Sequence, residues 1–346
     1  MSTMREVAAV AKVSAKTVSR VFNNDPHVLP ETRERVEAAL RELNYVPNTL
    51  ATTFRAGRYP AIGIAVPDLV DPFFAALAKA VGQLAAQHNM SILVTNLHDD
   101  PEREQPIVEA LLRQSLSGLI IAPISHDQAY LAAWASRTPI VFVDRAPTKV
   151  PADHFVEDDH GGAYTATEHL INHGHQRIAF LGDSLDIPTT RNRYHGYNDA
   201  LRHHQLPNHD ELVALGAMDR DRAATAFAQL EALQPPPSAL FCSNARCAMA
   251  LVPVLSRTEL AVTTFGDFPM ADMVTPAFTV IDQNPVRVGQ LAGQRIIDRI
   301  QHPNRRYRRR NVLPVGLIER ESCLNTARLH PSHQPTLTTA HSSKAG

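Results

Sequence analysis

The stretch that decides how this chain is organised lies near its N-terminus and reads Val13-Ser14-Ala15-Lys16-Thr17-Val18-Ser19-Arg20-Val21-Phe22-Asn23-Asn24. Val18, Val21 and Phe22 have the spacing i, i+3 and i+4, so they share one face of a helix. Ser14 is a natural N-cap, because its hydroxyl can accept a hydrogen bond from an unpaired N–H of the first turn. The other face carries small polar and basic side chains, namely Ala15, Lys16, Thr17, Ser19, Arg20 and Asn23. Such a face suits a helix that enters a DNA major groove with its N-terminal half.

Two more helices are predicted around this stretch. Residues Met4 to Val10 form the first, and Lys12-Val13 is a tight connection, so two short helices meet through a turn of three to four residues. That is the helix-turn-helix pattern. A third helix follows Pro30, with an inner stripe of Val36, Leu40 and Leu43. Taken alone, the pattern fits a small three-helix bundle of any purpose.

Composition indicates an ordinary soluble globular protein of two or three domains. At 346 residues the chain is too long for one ordinary core, and it is 44% hydrophobic and 20% charged. It has neither a long uncharged apolar run nor a secretory h-region, so we predict no membrane contact. Its three cysteines, Cys242, Cys247 and Cys323, make no disulfide framework and lack metal-site spacing. We therefore expect a cytoplasmic protein, which would also be nucleoid-associated if its N-terminal segment binds DNA.

The charge is unevenly distributed along the chain. The formal net charge is −1, but residues 1–58 hold nine Lys or Arg and six Asp or Glu, which gives this segment about +3 and the remainder about −4. A small basic head on an acidic body is consistent with nucleic-acid binding by the head.

The pattern changes after residue 58 to alternating strands and helices. Strands are predicted at 61–66, 91–94, 118–121, 139–143, 177–181 and 239–241, with amphipathic helices between them. This alternation predicts parallel sheets covered on both faces, and the number of units predicts two doubly wound subdomains. Ligands of such sheets bind beyond the carboxyl ends of the strands, in the loops after residues 66, 121, 143, 181, 241 and 265.

Neither a catalytic site nor a cofactor site is predicted. Glycine-rich phosphate loops are missing after the strands, and Gly182-Asp183-Ser184 is not a nucleophile elbow. His169, His173 and His175 include a pair four residues apart, but a third ligand would have to come from elsewhere, so we interpret them as structural. We expect a protein that is not an enzyme and that has no cofactor and no metal.

A run of short motifs in the head resembles the DNA-binding head of the LacI/GalR family of bacterial transcriptional regulators. The motifs are Glu6-Val7-Ala8, Val13-Ser14, Thr17-Val18-Ser19-Arg20-Val21, Thr32-Arg33-Glu34-Arg35-Val36 and Leu43-Asn44-Tyr45-Val46-Pro47-Asn48. The resemblance continues in Asp71-Pro72-Phe73-Phe74, residues 139–145, residues 174–182, Arg193-Tyr194-His195-Gly196-Tyr197 and Arg320-Glu321-Ser322. It therefore covers roughly residues 4–323.

For the head, the resemblance implies a set of DNA contacts. Ala15, Lys16 and Arg20 would face base edges. Residues 48–56 would be a hinge helix, capped by Asn48, that orders on operator DNA. Phe54 occupies the position of the apolar side chain that enters the minor groove and bends the duplex. The alternative for Phe54 is packing between two hinge helices.

The head also departs from the family pattern. Lys12 stands where the family usually has Gly or Asn, which predicts a left-handed backbone conformation for a bulky residue. Leu29 stands where Ser usually caps the third helix, so a weakened cap is predicted. Thr52 replaces a common Arg, which removes one phosphate contact.

For the body, the resemblance implies an effector site between the subdomains. An aromatic of the Phe73-Phe74 pair would stack on a sugar or base. The Asp144 carboxylate would accept hydrogen bonds from paired hydroxyls, and the Arg193 guanidinium would donate two hydrogen bonds to the effector. The alternatives are core packing for the aromatics and an interdomain salt bridge for the charged pair. Four further positions are candidates, namely Asn244, which matches the family's Asn, Arg246, Asp267 and, more weakly, Gln283.

Two losses in this site change the expected ligand. Ala245 replaces the family's Asp beside Asn244, and Gly266 replaces another Asp unless Asp267 substitutes for it. Together with Arg246 they make one wall less acidic. The predicted effector is a sugar, polyol or nucleoside, and a sugar phosphate or other anion becomes compatible with the site.

These observations predict a fold class and a set of boundaries. The fold is α/β, with an N-terminal all-α helix-turn-helix head and two doubly wound subdomains of periplasmic-binding-protein type. Residues 1–47 form the head and 48–58 the hinge. Residues 59–159 with about 285–310 form the first subdomain, and 160–284 with about 311–325 the second. A helix at 286–300 returns to the first subdomain, a strand Val312–Ile318 joins the second, and 326–346 form a disordered tail without a tetramerising coiled coil.

We therefore predict a homodimeric transcriptional regulator, most consistent with a repressor, that binds double-stranded palindromic operator DNA under control of a small effector. The alternative is a solute-binding protein of a transporter, which would share the body but not the basic head. Whether the effector acts as inducer or corepressor stays open.

Overall fold

The computed structural model describes residues 3–22, 25–45, 59–217, 219–255, 258 and 260–324. The chain divides into two compact units, residues 1–59 and 60–346. Among the helices described, none has the length and apolar character that crossing a membrane requires.

The first unit contains three short helices, α1 (Met4–Val10), α2 (Ala15–Phe22) and α3 (Pro30–Glu42). Its core is built from Val7, Val18, Val21 and Val36, each at most 4% exposed. The predicted cap of α2 is confirmed, since the Ser14 hydroxyl accepts from the Thr17 N–H at 3.1 Å. Phe22 was predicted on the inner face, yet it is 47% exposed. It occupies the last position of α2, where the small core no longer covers that face.

Two predicted irregularities of the head are confirmed. Lys12 has a φ of 52°, which is the left-handed region that L residues with long side chains rarely adopt. Leu29 precedes α3 without a capping hydrogen bond from its side chain. The tight turn between α1 and α2 therefore forms although Lys12, at its left-handed position, is neither Gly nor Asn.

The first sheet of the second unit has six strands in the order β11-β5-β4-β3-β1-β2. They are β1 (Tyr59–Val66), β2 (Ser91–Asn96), β3 (Leu116–Ile121), β4 (Ile140–Val143), β5 (Asp153–Glu157) and β11 (Arg310–Leu313). The pairings β1–β2, β3–β4, β4–β5 and β5–β11 are parallel. The helices are α4 (Pro72–Gln87), α5 (Pro101–Leu112), α6 (Ala132–Ala135) and α11 (Pro285–Gln301). Helix α11 packs closely on α4, because a Cβ at Gly289 would lie 2.6 Å from the Leu77 carbonyl oxygen.

The second sheet also has six strands, in the order β12-β10-β9-β8-β6-β7. They are β6 (Ile178–Leu181), β7 (Val213–Ala214), β8 (Ala239–Cys242), β9 (Ala261–Phe265), β10 (Thr279–Asp282) and β12 (Gly316–Ile318). Only β12 is antiparallel to its neighbour among the pairs described. The helices are α7 (Asp159–Asn172), α8 (Pro188–His203), α9 (Arg220–Glu231) and α10 (Ala245–Leu255).

The predicted fold class is confirmed, with one difference in the last crossover. The return of α11 to the first subdomain is as predicted, since Val288, Ala292 and Ile296 are buried in its core. The single strand predicted over Val312–Ile318 is wrong. The segment forms two strands, β11 in the first sheet and β12 in the second. Pro314 lies between them, and its missing N–H ends the first ladder.

Candidate functional site

The exposed face of α2 carries the side chains that the sequence assigned to DNA. Ser14, Lys16 and Arg20 are exposed, whereas Ala15, Thr17 and Ser19 are partly buried. Ala15 packs against the core of the head, which limits its reach. Asn23, Asn48 and Phe54 lie outside the described residues. Within the described part of α2, Lys16 and Arg20 supply the positive charge.

Arg20 already has a partner in the absence of DNA. Its Nε donates to Asp25 Oδ2 at 2.8 Å, and this hydrogen bond holds the pKa of Asp25 well below its usual range. Arg33 steadies the same loop, since its Nη2 donates to the Asp25 carbonyl oxygen at 2.8 Å. The contact with Asp25 uses Nε of Arg20 and so orients the guanidinium group. The two Nη nitrogens are left for a base or a phosphate.

A cleft lies between the two sheets of the second unit, at the carboxyl ends of the strands, as the fold class predicts. Its free volume is about 40 Å³, so the two walls lie close together in this structure. Segments after β1, β4, β6, β8 and β10 contribute its walls. The lining residues are Pro67, Asp68, Asp71, Phe73, Phe74, Asp144, Arg145, Asp183, Thr189, Thr190, Arg193, Asn244, Ala245, Arg246 and Gln283.

Arg193 on α8 is the most firmly held of the cleft arginines. Its Nε and Nη2 lie 2.8 and 2.7 Å from Asp159 Oδ1, and its Nη1 donates to the Ser243 carbonyl oxygen at 2.9 Å. The guanidinium also stacks on Phe265, with Cζ 3.8 Å from the ring centroid. These contacts use three of the five N–H donors of an arginine, and the other two have no hydrogen-bond partner among the residues that the structure describes.

Behind Arg193 lies a buried group of three carboxylates, Asp144, Glu157 and Asp159. Both carboxyl oxygens of Glu157 are inaccessible, and neither has a hydrogen-bond partner among the described residues. Burial, together with the nearby charges of Asp144 and Asp159, raises the pKa of Glu157 well above its ordinary value. Burial also raises the pKa of Asp159, to about 7, although the charge of Arg193 opposes this shift. Glu157, which no cation contacts among the described residues, is therefore the member of the group that keeps its proton to the highest pH.

Glu157→Gln is expected to stabilise the second unit in a pH-dependent way. In the unfolded chain this carboxyl ionises near its ordinary pKa of 4.5, whereas in the folded protein it stays protonated to a higher pH. The folded form then holds a proton that the unfolded form has released, so the contribution of Glu157 to stability falls as pH rises above about 4.5. Urea unfolding should show the variant matching the wild type at pH 4 and exceeding it at pH 8. Glu102→Gln, an exposed residue of α5, should show no such trend, and a gain confined to low pH would contradict the assignment.

Arg246 spans the cleft. Its Nη1 lies 2.7 Å from Asp99 Oδ2 and 3.4 Å from Asp68 Oδ2, both on loops of the first sheet. Its Nη2 lies 3.7 Å from Asp183 Oδ2 on its own subdomain. Nearby, burial raises the pKa of Asp71 to about 6. Arg246 is thus an ionic latch that holds the two subdomains together, and its charge is largely neutralised.

Asp183 and Asn244 form a second network on the same wall. Asp183 accepts from the Thr190 hydroxyl, from the Ser184 N–H at 2.9 Å and from Asn244 Nδ2 at 3.2 Å. Asn244 Oδ1 in turn accepts from the Cys247 N–H at 2.9 Å, in the first turn of α10. Both ends of the Asn244 amide are therefore engaged within the protein.

The remaining predicted residues divide into two groups. Phe73 and Phe74 line the cleft with an edge-to-face contact, ring centroids 5.1 Å apart, and both also belong to the core of the first subdomain. Gln283 lines the cleft as well. Asp267 is not part of the lining, because Arg320 holds its carboxylate with contacts of 2.7 and 3.1 Å. Gly266 adopts a φ of 92°, which a side chain would strain.

Several lining residues were not predicted from the sequence, notably Asp68, Asp71, Asp183, Arg145 and the pair Thr189 and Thr190. The first four share a signal that was available, since each follows within a few residues of the end of a predicted strand. The threonines lie in the first turn of α8 and had no such signal.

Comparison with known proteins identifies both units. Residues 3–48 match the model described as bacterial regulatory proteins, lacI family. Residues 59–320 match that of periplasmic binding proteins and the sugar binding domain of the LacI family.

Individual relatives match over nearly the whole chain. The NTD biosynthesis operon regulator NtdR of Bacillus subtilis (strain 168) is 30% identical, covering 93% of this chain and 100% of that protein. The ribose operon repressor of Escherichia coli (strain K12) is also 30% identical, with the same shares of 93% and 100%. The lac repressor dimer bound to operator and the anti-inducer ONPF superposes with a TM-score of 0.82 at 28% identity, covering 93% of this chain and 99% of that one. These relatives are regulators rather than enzymes, and the chain belongs to the lacI family of bacterial DNA-binding transcriptional regulators.

Proposed function

We propose that this regulator is a repressor that binds a near-palindromic operator as a homodimer, under control of a small polyhydroxylated effector in the cleft. The observation that carries the proposal is the cleft itself. Aromatic rings, oriented arginine donors and carboxylates from two subdomains meet at the carboxyl ends of two parallel sheets. The lac repressor dimer bound to operator supports the assembly, since its whole length resembles this chain.

The charges of the cleft favour a neutral effector over an anionic one. The lining includes Asp68, Asp71, Asp144 and Asp183 against three arginines. Arg246 is already shared among three carboxylates, and Arg193 is paired with Asp159. A phosphate would therefore meet few unpaired cations and several carboxylates. Hydroxyl groups suit the same walls, because they donate to carboxylates and accept from the free N–H groups of Arg193.

The latch suggests how an effector changes the subdomains. A ligand that contacts both walls competes with, or adds to, the bridge from Arg246 to Asp68 and Asp99. It thereby changes the free energy of closing the cleft. Because the linkage is reciprocal, operator DNA must change effector affinity by the same factor. We propose residues 59–159 with about 285–313, and 160–284 with about 314–325, as the bodies that pivot, with the head at 1–47 and the hinge at 48–58; the boundary near 313 follows β11, which pairs in the first sheet.

Thermal-shift screening of the full chain tests the effector class. The panel comprises aldoses such as ribose, disaccharides such as cellobiose, polyols, nucleosides and the matched sugar phosphates. A ligand present at 100 times its Kd should stabilise the second unit by about 2.7 kcal/mol. We expect shifts from neutral polyhydroxyl compounds and none from their phosphates. A sugar phosphate that stabilises more than its parent sugar would overturn the neutral assignment.

Arg20→Ala tests the DNA-reading role of α2. On a preferred operator the variant should bind roughly 5- to 150-fold more weakly, with relaxed base preference at one position of each half-site. Arg35→Ala, an exposed arginine of α3, is the matched control and should leave base preference unchanged. Fluorescence anisotropy on the operator and on single-base variants measures both. An equal loss on every sequence would show that Arg20 contacts phosphate instead.

A further inference from the structure

Four potential metal ligands meet at the C-terminal end of α7. They are His169, His173, Glu319 and Cys323, and one ligand atom from each lies within 4.8 Å of all the others. His169 and His173 are one helical turn apart, with ring centroids separated by 4.4 Å. Glu319 and Cys323 come from the segment that follows β12. Two distant parts of the sequence thus place nitrogen, sulfur and oxygen donors around one point.

The ring of His173 is already oriented as that of a metal ligand usually is. His173 Nδ1 lies 2.9 Å from the His169 carbonyl oxygen. A carbonyl can only accept, so Nδ1 carries the proton and the lone pair is on Nε2. Metal-binding histidines commonly use a backbone carbonyl in this way to fix ring and tautomer. His169 Nε2 lies 3.1 Å from Cys323 Sγ, so the second nitrogen and the sulfur are adjacent before any metal binds.

The sulfur has a supporting contact of its own. Cys323 is fully buried, and its Sγ lies 3.2 Å from the Thr279 hydroxyl on β10. The same hydroxyl also lies 3.1 Å from the Arg320 carbonyl oxygen, so its single proton stabilises the thiolate that a metal requires when it turns toward Cys323. Glu319 is exposed, which leaves one side of the cluster open for entry of an ion.

The donor set selects the class of metal. Two imidazoles, one thiolate and one carboxylate form a mixed four-ligand set, which Zn²⁺ takes in tetrahedral geometry. Mg²⁺ and Ca²⁺ prefer oxygen ligands only. We propose that His169, His173, Glu319 and Cys323 form a structural Zn²⁺ site. Closing the ligands to about 2.0–2.3 Å from one ion requires only small side-chain movements from the present spacing.

Such a site would tie the last strand to the core of its subdomain. β12 is three residues long, lies at the edge of the second sheet and pairs only with β10 among the described strands. The metal would add a bond from the segment after β12 to α7. The site does not touch the cleft and does not depend on the effector proposed above.

Zinc binding by the tag-free full chain tests the proposal. After zinc loading and desalting, elemental analysis should find one Zn²⁺ per chain, and Co²⁺ in its place should show a thiolate-to-cobalt charge-transfer band. His173→Gln and Cys323→Ser should each weaken zinc binding at least about tenfold in a chelator competition. His126→Gln, an exposed histidine elsewhere, should not.

Two results would overturn the site. One is zinc that is lost on desalting of the wild type. The other is zinc content and affinity that are the same in His173→Gln as in the wild type. Circular dichroism establishes that each variant is folded. The partly exposed His173 provides the decisive variant if the buried Cys323→Ser does not fold.

Discussion

Arg193→Ala is expected to destabilise the second unit by about 3–5 kcal/mol, because it leaves the buried Asp159 without the cation that offsets its desolvation. The variant also loses the bond to the Ser243 carbonyl oxygen and the stacking on Phe265. Urea unfolding, followed by circular dichroism and by the fluorescence of Trp134, measures the loss.

Two companion variants separate charge from shape. Arg193→Lys keeps a cation beside Asp159 and should lose much less stability. The double variant Arg193→Met with Asp159→Asn removes both charges and should recover most of the loss, since a buried ion pair can often be replaced by neutral residues without net cost. A loss below about 1 kcal/mol in Arg193→Ala would mean that Asp159 is solvated and that the pair is not buried as described.

The ligand contact proposed for Arg193 affects how its variants are interpreted, because the same side chain also pairs with Asp159. A failure of Arg193→Ala to respond to effector would not by itself show a ligand contact, because the wall of the cleft is weakened. Arg193→Lys is the informative variant for binding, because it retains the ion pair but loses the planar fork that donates to a ligand. We expect it to fold normally and to bind the effector more weakly.

Arg246→Ala is expected to open the cleft. Without its guanidinium, Asp68 and Asp99 of the first subdomain face Asp183 of the second with no cation between them. Repulsion among like charges then replaces an attraction across the cleft. Small-angle scattering of the ligand-free protein should show a larger radius of gyration than the wild type, and the difference should shrink as salt rises.

A double-mutant cycle with Asp99→Asn measures how much of the effect of Arg246 comes from its contact with Asp99. The 2.7 Å contact predicts that Arg246→Ala and Asp99→Asn are not additive in their effects on effector affinity, with a coupling of about 0.5–3 kcal/mol. Arg222→Ala removes an exposed arginine of the same subdomain and should change neither shape nor affinity. Additive effects of Arg246→Ala and Asp99→Asn would show that Arg246 lines the cleft without an energetic interaction with Asp99 across it.

Much of the architecture follows from local sequence. The cap at Ser14, the buried face of α2 and the strand–helix alternation after residue 58 depend on neighbours a few residues away, and such patterns can be detected from sequence alone. The position of the cleft follows from the same alternation, because parallel strands end at one edge of a sheet. The exposure of Phe22 and the strand break at Pro314 were not predicted. The first depends on how far the core of the head extends, and the second on where each sheet ends.

The chemistry of the cleft was harder to predict, since it depends on partners distant in the sequence. Arg246 suggested an anionic ligand until its partners Asp99 and Asp68 were known, 147 and 178 residues away. Asp267 was a candidate ligand because nothing in the sequence indicated its pairing with Arg320, 53 residues later. The further ligands of the pair His169 and His173 could not be recognised from the sequence for the same reason, because His169 and Cys323 are 154 residues apart.

We propose that the head binds operator DNA and that effector binding in the cleft controls the affinity of the head for that DNA. The most direct test is selection of duplexes from a randomised library by the full chain, followed by anisotropy titration with and without the strongest ligand of the thermal-shift panel. We expect enrichment of an inverted repeat and binding that weakens steeply with salt. Adding the ligand should change the affinity of the protein for the selected duplex by at least about fivefold. Enrichment of no sequence, or an affinity for the selected duplex that the ligand leaves unchanged, would contradict it.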